Sequence, residues 1–294
     1  MKIQILIPVY NDFQSLSKLL DDINSTISNS DKNFSVIIIN DASTDKEEIT
    51  ISDKEKISSI KIINMKTNNG HARGIAAGLK YIFENEVFDY VIPMDGDGED
   101  RPEEILKFIE LLKHEPNKPI VGERIKRSEG IIFKISYIIH KLITFIFTGH
   151  SIKFGNFTCL PKAHVQKLIE KSFLWNSYSS SVVRTINDRI FIPSVRGTRY
   201  VLPSKMNFTA LVFHSLAIIS VFRNKVIVRS FLLLFAYLLL IFNSISILTL
   251  FPILFLIVFV IIILKISTRA NMEEFNKSLE NIGNIDVLKS SNGR

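Results

Sequence analysis

The sequence predicts an α/β protein built on a parallel sheet and followed by a two-helix membrane hairpin. Three observations predict it: short apolar runs alternate with amphipathic stretches in the first half, each run ends in polar residues of unusual type, and residues 230–264 carry no charged side chain. Alternation of this kind builds a sheet with helices on its faces. Ligands of such sheets bind beyond the carboxyl ends of the strands, so the residues after each run are the ones to inspect. The chain has 47% hydrophobic residues, 36 Lys+Arg against 29 Asp+Glu, and one cysteine. That composition excludes a disordered chain, a disulfide scaffold and a zinc-thiolate module.

The expected strands cover residues 2–9, 34–40, 60–64, 88–94 and 119–122, with helices near 13–28, 71–85 and 102–114. The first strand ends in Pro8-Val9-Tyr10-Asn11-Asp12 and the second in Asn40-Asp41-Ala42-Ser43-Thr44-Asp45. The third leads to Asn68-Asn69-Gly70, and the fourth ends in Asp95-Gly96-Asp97-Gly98-Glu99-Asp100. Neither a Gly-x-Gly-x-x-Gly nor a Walker lysine loop is present, which argues against a dinucleotide oxidoreductase and a P-loop enzyme.

Asp95 and Asp97 stand two apart at a strand end, so in extended geometry their carboxylates point to one side, with Gly96 leaving room above them. Hard oxygen ligands at that spacing suit Mg2+ or Mn2+ shared with substrate phosphates. An acidic turn capping the helix that starts near Pro102 is the alternative. Asp41 reads either as a helix cap or as an acceptor for a nucleoside base or ribose.

Thirty-five uncharged residues exceed one membrane span, which needs roughly 20 residues of helix, so two passes near 226–242 and 247–265 are expected, joined by a turn at 243–247. A hydrophobic hairpin inside a soluble core is the alternative. Arg223, Lys225 and Arg229 before the first span and Lys265 and Arg269 after the second put both ends on the cytosolic side, because positive charge marks that face. The amino terminus runs from an apolar strand straight into polar residues, too short for the apolar core of a signal peptide, and Cys159 reads as a reduced, buried thiol. Segments 131–148 and 208–222 read as apolar helices lying at the membrane interface or, alternatively, as buried core helices. The six histidines show no metal spacing and read as structural or surface residues. The polar tail after Lys265 reads as a short helix followed by disorder.

Together these segments resemble the family 2 inverting glycosyltransferases. Pro8-Val9-Tyr10-Asn11 is similar to that family's Pro-x-Tyr-Asn, Asn40-Asp41-Ala42-Ser43-Thr44-Asp45 to its Asp-Asp-Gly-Ser-x-Asp, and Asp95-Gly96-Asp97 to its metal-binding Asp-x-Asp. Asn40 and Ala42 depart from the second motif. Within the family the chain resembles the polyprenyl-phosphate glycosyltransferases. Asp95 through Glu103 is similar to their Asp-Ala-Asp-Leu-Gln-Asp-Pro-Pro-Glu, Gly122 through Arg127 to their Gly-x-Arg-x-x-Arg, and Arg199 through Met206 to their Arg-x-x-Gly-x-Ser-Lys-Tyr. Glu99 stands in place of Gln, Pro203 and Met206 also differ, and Gly155-Asn156-Phe157 stands in place of Gly-Asp-Phe.

The resemblance implies a Rossmann-like GT-A nucleotide-sugar-binding domain over 1–128, an acceptor-side region with interfacial helices over 129–225, two transmembrane helices over 226–267 and a cytoplasmic tail over 268–294. It implies a membrane-bound, metal-dependent enzyme moving a sugar from a nucleotide diphosphate donor to polyprenyl (undecaprenyl) phosphate on the cytosolic leaflet of the inner membrane. Catalytic roles fall to Asp97, Arg124, Arg127 and Arg199. Donor and acceptor binding falls to Pro8, Tyr10, Asn11, Asp41, Asn69, Gly70, Asp95, Arg196, Ser204 and Lys205, and metal binding to Asp95, Asp97 and Glu99. Homo-oligomers through the hairpin or segment 131–148 stay open, and no nucleic-acid partner is expected.

Transfer to a hydroxyl needs a general base, yet between Gly130 and Lys225 the only acids are Glu170 and Asp188, against 14 Lys or Arg from Lys134 to Arg229. A lipid phosphate is already ionised and calls for cations instead. Lys134, Lys141, Arg223, Lys225 and Arg229 read as attraction to an anionic leaflet. The alternatives are transfer to a glycan or lipopolysaccharide hydroxyl, with Asp188 or Glu170 as base, and an inactive nucleotide-sugar-binding scaffold.

Overall fold

The computed structural model describes residues 1–45, 54–126, 131–201 and 208–290. Arg127, Ser204 and Lys205 lie outside the described residues. The first half alternates as expected: β1 (Lys2–Val9), α1 (Phe13–Thr26), β2 (Asn33–Asn40), β3 (Ile57–Met65), α2 (His71–Asn85), β4 (Tyr90–Pro93), α3 (Glu104–Leu112) and β5 (Ile120–Lys126). Then follow α4 (Ile131–Thr148), β6 (Thr158–Pro161), α5 (Lys162–Ile169), α6 (Tyr178–Thr185), β7 (Ile190–Val195), α7 (Phe208–Ser220), α8 (Arg223–Ile241), α9 (Ile247–Ser267), α10 (Met272–Asn276) and β8 (Ile282–Lys289).

The sheet runs β7-β5-β6-β4-β1-β2-β3-β8. β4, β1, β2 and β3 are mutually parallel, and β5 and β7 share their direction, because β6 runs antiparallel to both β4 and β5. The carboxyl ends of six strands therefore open on one edge. Every β1 residue after Lys2 is buried, as a strand covered on both faces requires. On one face α1 and α3 set Leu16, Leu20, Ile105 and Phe108 against Ile5, Ile7 and Ile38. On the other, α2 sets Ile75, Leu79 and Ile82 against Leu6, Ile37 and Ile39.

Gly78 lets α2 approach this closely: a Cβ there would sit 3.0 Å from Ile39 Cγ1 and closer still to Leu6 Cδ1. Gly78→Ala is expected to cost about 1–3 kcal/mol by overpacking, read as a lower denaturant midpoint at unchanged m-value. An unchanged midpoint would show that Leu6 gives way freely.

α8 and α9 are both long and apolar enough to cross a membrane. They turn at 242–246, with Tyr237 Oη donating to Thr249 O at 3.0 Å. Their outer faces leave Phe231, Leu240, Leu248 and Phe255 exposed, which disfavours the hairpin buried in a soluble core. α4 and α7 pack against them through Ile143, Phe147, Leu216 and Ile219. Each also keeps an open apolar side, Ile138, Leu142 and Phe145 on α4 and Val212 and Phe213 on α7. These helices are thus covered by protein on one face only.

The disordered tail is a correction. β8 pairs antiparallel with β3, from Met65↔Ile282 to Ile60↔Lys289. It is a largely exposed strand held by its backbone and by polar partners: Asn64 Nδ2 donates to Asp286 Oδ2 at 2.7 Å and Lys289 Nζ to Lys54 O at 2.8 Å. Upstream, Phe275 of α10 is fully buried against Trp175. The chain thus leaves the sheet, makes the hairpin and returns to the same sheet, so both hairpin ends lie on the side of the α/β unit.

Candidate active site

The described residues of the motifs lie along the common carboxyl edge of the sheet. Pro8, next to the last residue of β1, pairs with Ile39, and Tyr10 beyond the strand is exposed. Asn11 takes φ +51 and laces the β1 and β2 ends together: its backbone N–H donates to Ser43 Oγ at 2.9 Å and its Oδ1 accepts from Thr44 N at 2.8 Å. Ala42 sits at φ +58, a left-handed geometry that costs an L-residue roughly 1–2 kcal/mol. The glycine expected at this point by resemblance has that physical reason.

Asn40 has a reason too. Its Oδ1 accepts from Ser43 N at 3.0 Å, and its Nδ2 donates to Asn64 Oδ1 at 2.7 Å. A carboxylate would lack the second bond. Asp41 is buried, with Oδ1 accepting from Asn69 N at 2.9 Å and Oδ2 from Gly70 N at 2.8 Å. Burial raises its pKa against the pull of those two donors. Asp41 thereby fixes the backbone of Asn69 and Gly70, the latter at φ +88.

Asp95 follows β4. Its Oδ1 accepts from Asn156 Nδ2 at 2.9 Å and lies 3.2 Å from His71 Nε2, while Arg124 Nη2 stands 3.9 Å from Oδ2. Burial pushes its pKa up, but His71, Arg124 and Asn156 outweigh burial and hold the carboxyl well below the usual range. The same contact raises the pKa of His71 despite burial. Asp97 Oδ2 lies 2.7 Å from Arg199 Nη2, and its Oδ1 accepts from Glu99 N at 3.0 Å. Burial, then the charge of Asp95, raises the Asp97 pKa to about 6. Asp100, buried behind them and accepting from Asp95 N at 2.9 Å, is raised to about 8, again first by burial and then by Asp95.

Glu99 pairs with Arg196 and, at 3.3 Å, with Arg199 Nε. The segment after β7 docks on the acidic turn through its backbone, Gly197 N to Glu99 O at 2.8 Å and Tyr200 N to Asp97 O at 3.0 Å. Gly98 at φ +84 permits this, because a Cβ there would come 2.5 Å from the Tyr200 ring. The Arg124 guanidinium likewise lies over Gly155.

The fold thus brings together Asp95, Asp97, Glu99, Arg124, Arg196 and Arg199 at one edge, with Tyr10, Asn11, Asp41, Asn69 and Gly70 along it. Asp188 is elsewhere: it precedes β7 at the opposite edge, exposed and 3.6 Å from Lys118. Glu170 is exposed at the end of α5. Sequence reasoning missed His71 and Asn156. His71 follows Gly70 and opens α2 within 3.2 Å of Asp95, so it is no bystander. Asn156 stands where the resemblance gives Asp, and its amide donates to Asp95, where a carboxylate would repel it. That departure was the available signal.

Among the described residues no three acids, histidines or cysteines form a ready metal cage. The donor set still fits a divalent ion. Two hard carboxylates crowd one spot closely enough to raise Asp97, and a cation shared with a diphosphate relieves that repulsion. Asp95 and Asp97 are the carboxylates that would hold it. Glu99 reaches a metal only by releasing Arg196 and Arg199.

Residues 4–175 match the model of glycosyl transferase family 2. Undecaprenyl-phosphate 4-deoxy-4-formamido-L-arabinose transferase of Photorhabdus laumondii is 30% identical over 173 residues, 58% of this chain and 50% of that protein. The enzyme of the same name from Proteus mirabilis is 27% identical over 282 residues, 87% and 84% of the two chains. The chain thus spans about half the length of some of the curated relatives it matches and most of others. Among solved structures, glucosyl-3-phosphoglycerate synthase from Mycobacterium tuberculosis, in complex with Mn2+, uridine-diphosphate and phosphoglyceric acid, superposes with a TM-score of 0.54 at 12% identity, covering 76% of this chain and 78% of that one. That likeness shows the fold, a GT-A sheet. With the family match spanning more than half of its length, the chain belongs to glycosyl transferase family 2.

Proposed function

We propose that the protein transfers a sugar from a nucleotide diphosphate donor to a polyprenyl phosphate at the cytosolic face of the inner membrane, with inversion at the anomeric carbon. One observation carries this reading. Around the acidic turn, Asp41, Asp95, Asp97, Glu99 and Asp100 are each already bonded to an arginine, a histidine, an amide or a backbone N–H, and Asp188 is at the other edge. Among the described residues around that turn no spare base is offered for a hydroxyl. A lipid phosphate needs none, because it is ionised near neutral pH.

In this reading Tyr10, Asn11 and the Asn69-Gly70 backbone held by Asp41 cradle the nucleoside. Asp95 and Asp97 would hold Mg2+ or Mn2+, which when bound would supply positive charge to the donor diphosphate. Arg196 and Arg199 face the same turn and stabilise the negative charge that develops on the leaving group. Arg124 approaches from the side of α4 and meets the acceptor phosphate, with Arg127, Ser204 and Lys205 expected beside it. The acceptor oxygen forms its bond to the anomeric carbon as the bond to the diphosphate breaks, and no net proton moves. The names of the two relatives support an undecaprenyl phosphate acceptor. Positive residues at both hairpin ends support the cytosolic placement.

The test is nucleotide diphosphate release by the full chain in detergent, with a panel of nucleotide sugars and Mn2+, with and without undecaprenyl phosphate. Release is expected only with the lipid phosphate, and Asp188→Asn is expected to stay within about 2-fold of the parent rate. Release that needs a glycan hydroxyl, or an Asp188→Asn loss on the 10²–10⁴ scale of a missing general base, would overturn the reading.

A further inference from the structure

We propose that the cleft between the end of α4 and the start of α8 binds the phosphate of an anionic phospholipid headgroup. The cleft holds about 430 Å³ and is lined by Thr148, Gly149, Asn224, Lys225, Val228 and Arg229. None of these belongs to the acidic turn or to the arginines around it. Arg229 Nη1 donates to Phe145 O at 3.4 Å and Ile146 O at 3.0 Å, ending α4. The rest of its guanidinium lies across Gly149, whose Cβ, had it one, would come 2.5 Å from Nη2. Gly149 is also at φ +74, so backbone and space both call for glycine. Lys225 Nζ lies 2.7 Å from His150 Nε2.

What the cleft lacks is a counter-charge. Among the described residues no carboxylate forms an ion pair with Arg223, Lys225 or Arg229, the three cations of the first two turns of α8, nor with Arg184, whose pKa the charge of Arg223 helps to lower. His150 is held below its ordinary pKa by burial first and then by Lys225, Arg189 and Arg229, all of them cations. Such a concentration of one sign attracts a mobile anion. Its position says which. One side of the cleft is the first two turns of α8, beyond which Phe231 and Leu232 face outward, and the other is the end of α4, where Leu142 and Phe145 do. The charge therefore sits where the apolar flank begins, at headgroup level, with Val228 for the first carbons below a phosphate.

The experiment titrates lipid into the full chain, purified in a zwitterionic detergent, and follows the thermal unfolding midpoint. Phosphatidylglycerol is expected to raise the midpoint and phosphatidylcholine to leave it in place. Lys225→Gln with Arg229→Gln is expected to raise the half-saturating phosphatidylglycerol concentration roughly 30-fold, about 5-fold for each cation near a surface. Because Arg229 also ends α4, Asn224→Asp serves as a second variant: it leaves the Arg229 bonds to α4 in place, puts a carboxylate into the lining and is expected to weaken binding at least about 5-fold. An unchanged response in both variants overturns the proposal. Equal stabilisation by inorganic phosphate overturns the lipid assignment, and displacement of phosphatidylglycerol by undecaprenyl phosphate makes the cleft part of the acceptor site instead. No arm requires turnover, so the outcome is separable from that of the catalytic reading.

Discussion

Asp97→Asn is expected to lower the proposed sugar transfer by about 10²–10³-fold, the scale on which single electrostatic stabilisers act. In the fold, Asp97 Oδ1 accepts from Glu99 N and Oδ2 meets Arg199 at 2.7 Å. Asparagine keeps the first bond through its carbonyl and turns an amide donor toward the guanidinium. The negative charge that pairs with Arg199, and that would bind the metal, is lost without change of shape. The measurement is kcat/KM for donor release across a Mn2+ titration, where a higher Mn2+ requirement is expected alongside the lower rate. A variant within 10-fold of the parent at every Mn2+ concentration would remove Asp97 from the catalytic set.

The fold itself is expected to tolerate this change. An acid whose pKa rises on folding, here from 3.8 to about 6, binds its proton more tightly in the native state. Its ionisation costs nothing at low pH and opposes folding increasingly as pH rises from about 4 through about 6. Metal-free Asp97→Asn is therefore expected to gain in melting temperature relative to the parent over that interval.

Phe275→Ala is the substitution with the largest expected effect on stability, about 3–5 kcal/mol for an aromatic removed from a closed site. Phe275 is fully buried, its ring stacked 5.5 Å from that of Trp175. Around it Glu274 accepts from Trp175 Nε1 at 3.1 Å and pairs with Arg73 at 3.0 Å. The side chain pins the tail to α2 just ahead of β8, so its loss should free β8 as well. Chemical denaturation reads the first effect, and limited trypsin cleavage at Lys277 and Lys289 the second. A cost below 1 kcal/mol with unchanged cleavage would mean that β8 holds by itself.

The first half of the fold was legible because its strands are covered on both faces and read as unbroken apolar runs, as from Ile3 to Val9. The hairpin was legible from missing charge. β8 was hidden by composition: Gly283, Asn284 and Asp286 read as part of a polar tail, yet they join the sheet through backbone and polar pairs, and only Ile282 and Leu288 pack against the core. β7 was hidden by Pro193, which argues against a strand inside a sheet but is tolerated on an edge, where β7 lies. In the site, the residues at strand ends were readable because sheet topology fixes where such ends go. His71 and Asn156 were not, since their meeting at Asp95 depends on a helix start and a loop that no local pattern ties together.

The return of β8 to β3 also sets an order of events during synthesis. Met65 leaves the ribosome about 217 residues before its partner Ile282, which at 5–20 residues per second is roughly 10–40 s. Throughout that interval the β3 edge waits without its neighbour, and both apolar helices emerge before it can be covered. With the hairpin in a bilayer, as proposed above, the last strand would be laid only after the hairpin has met the lipid, and membrane insertion would become a timing step in the completion of the sheet.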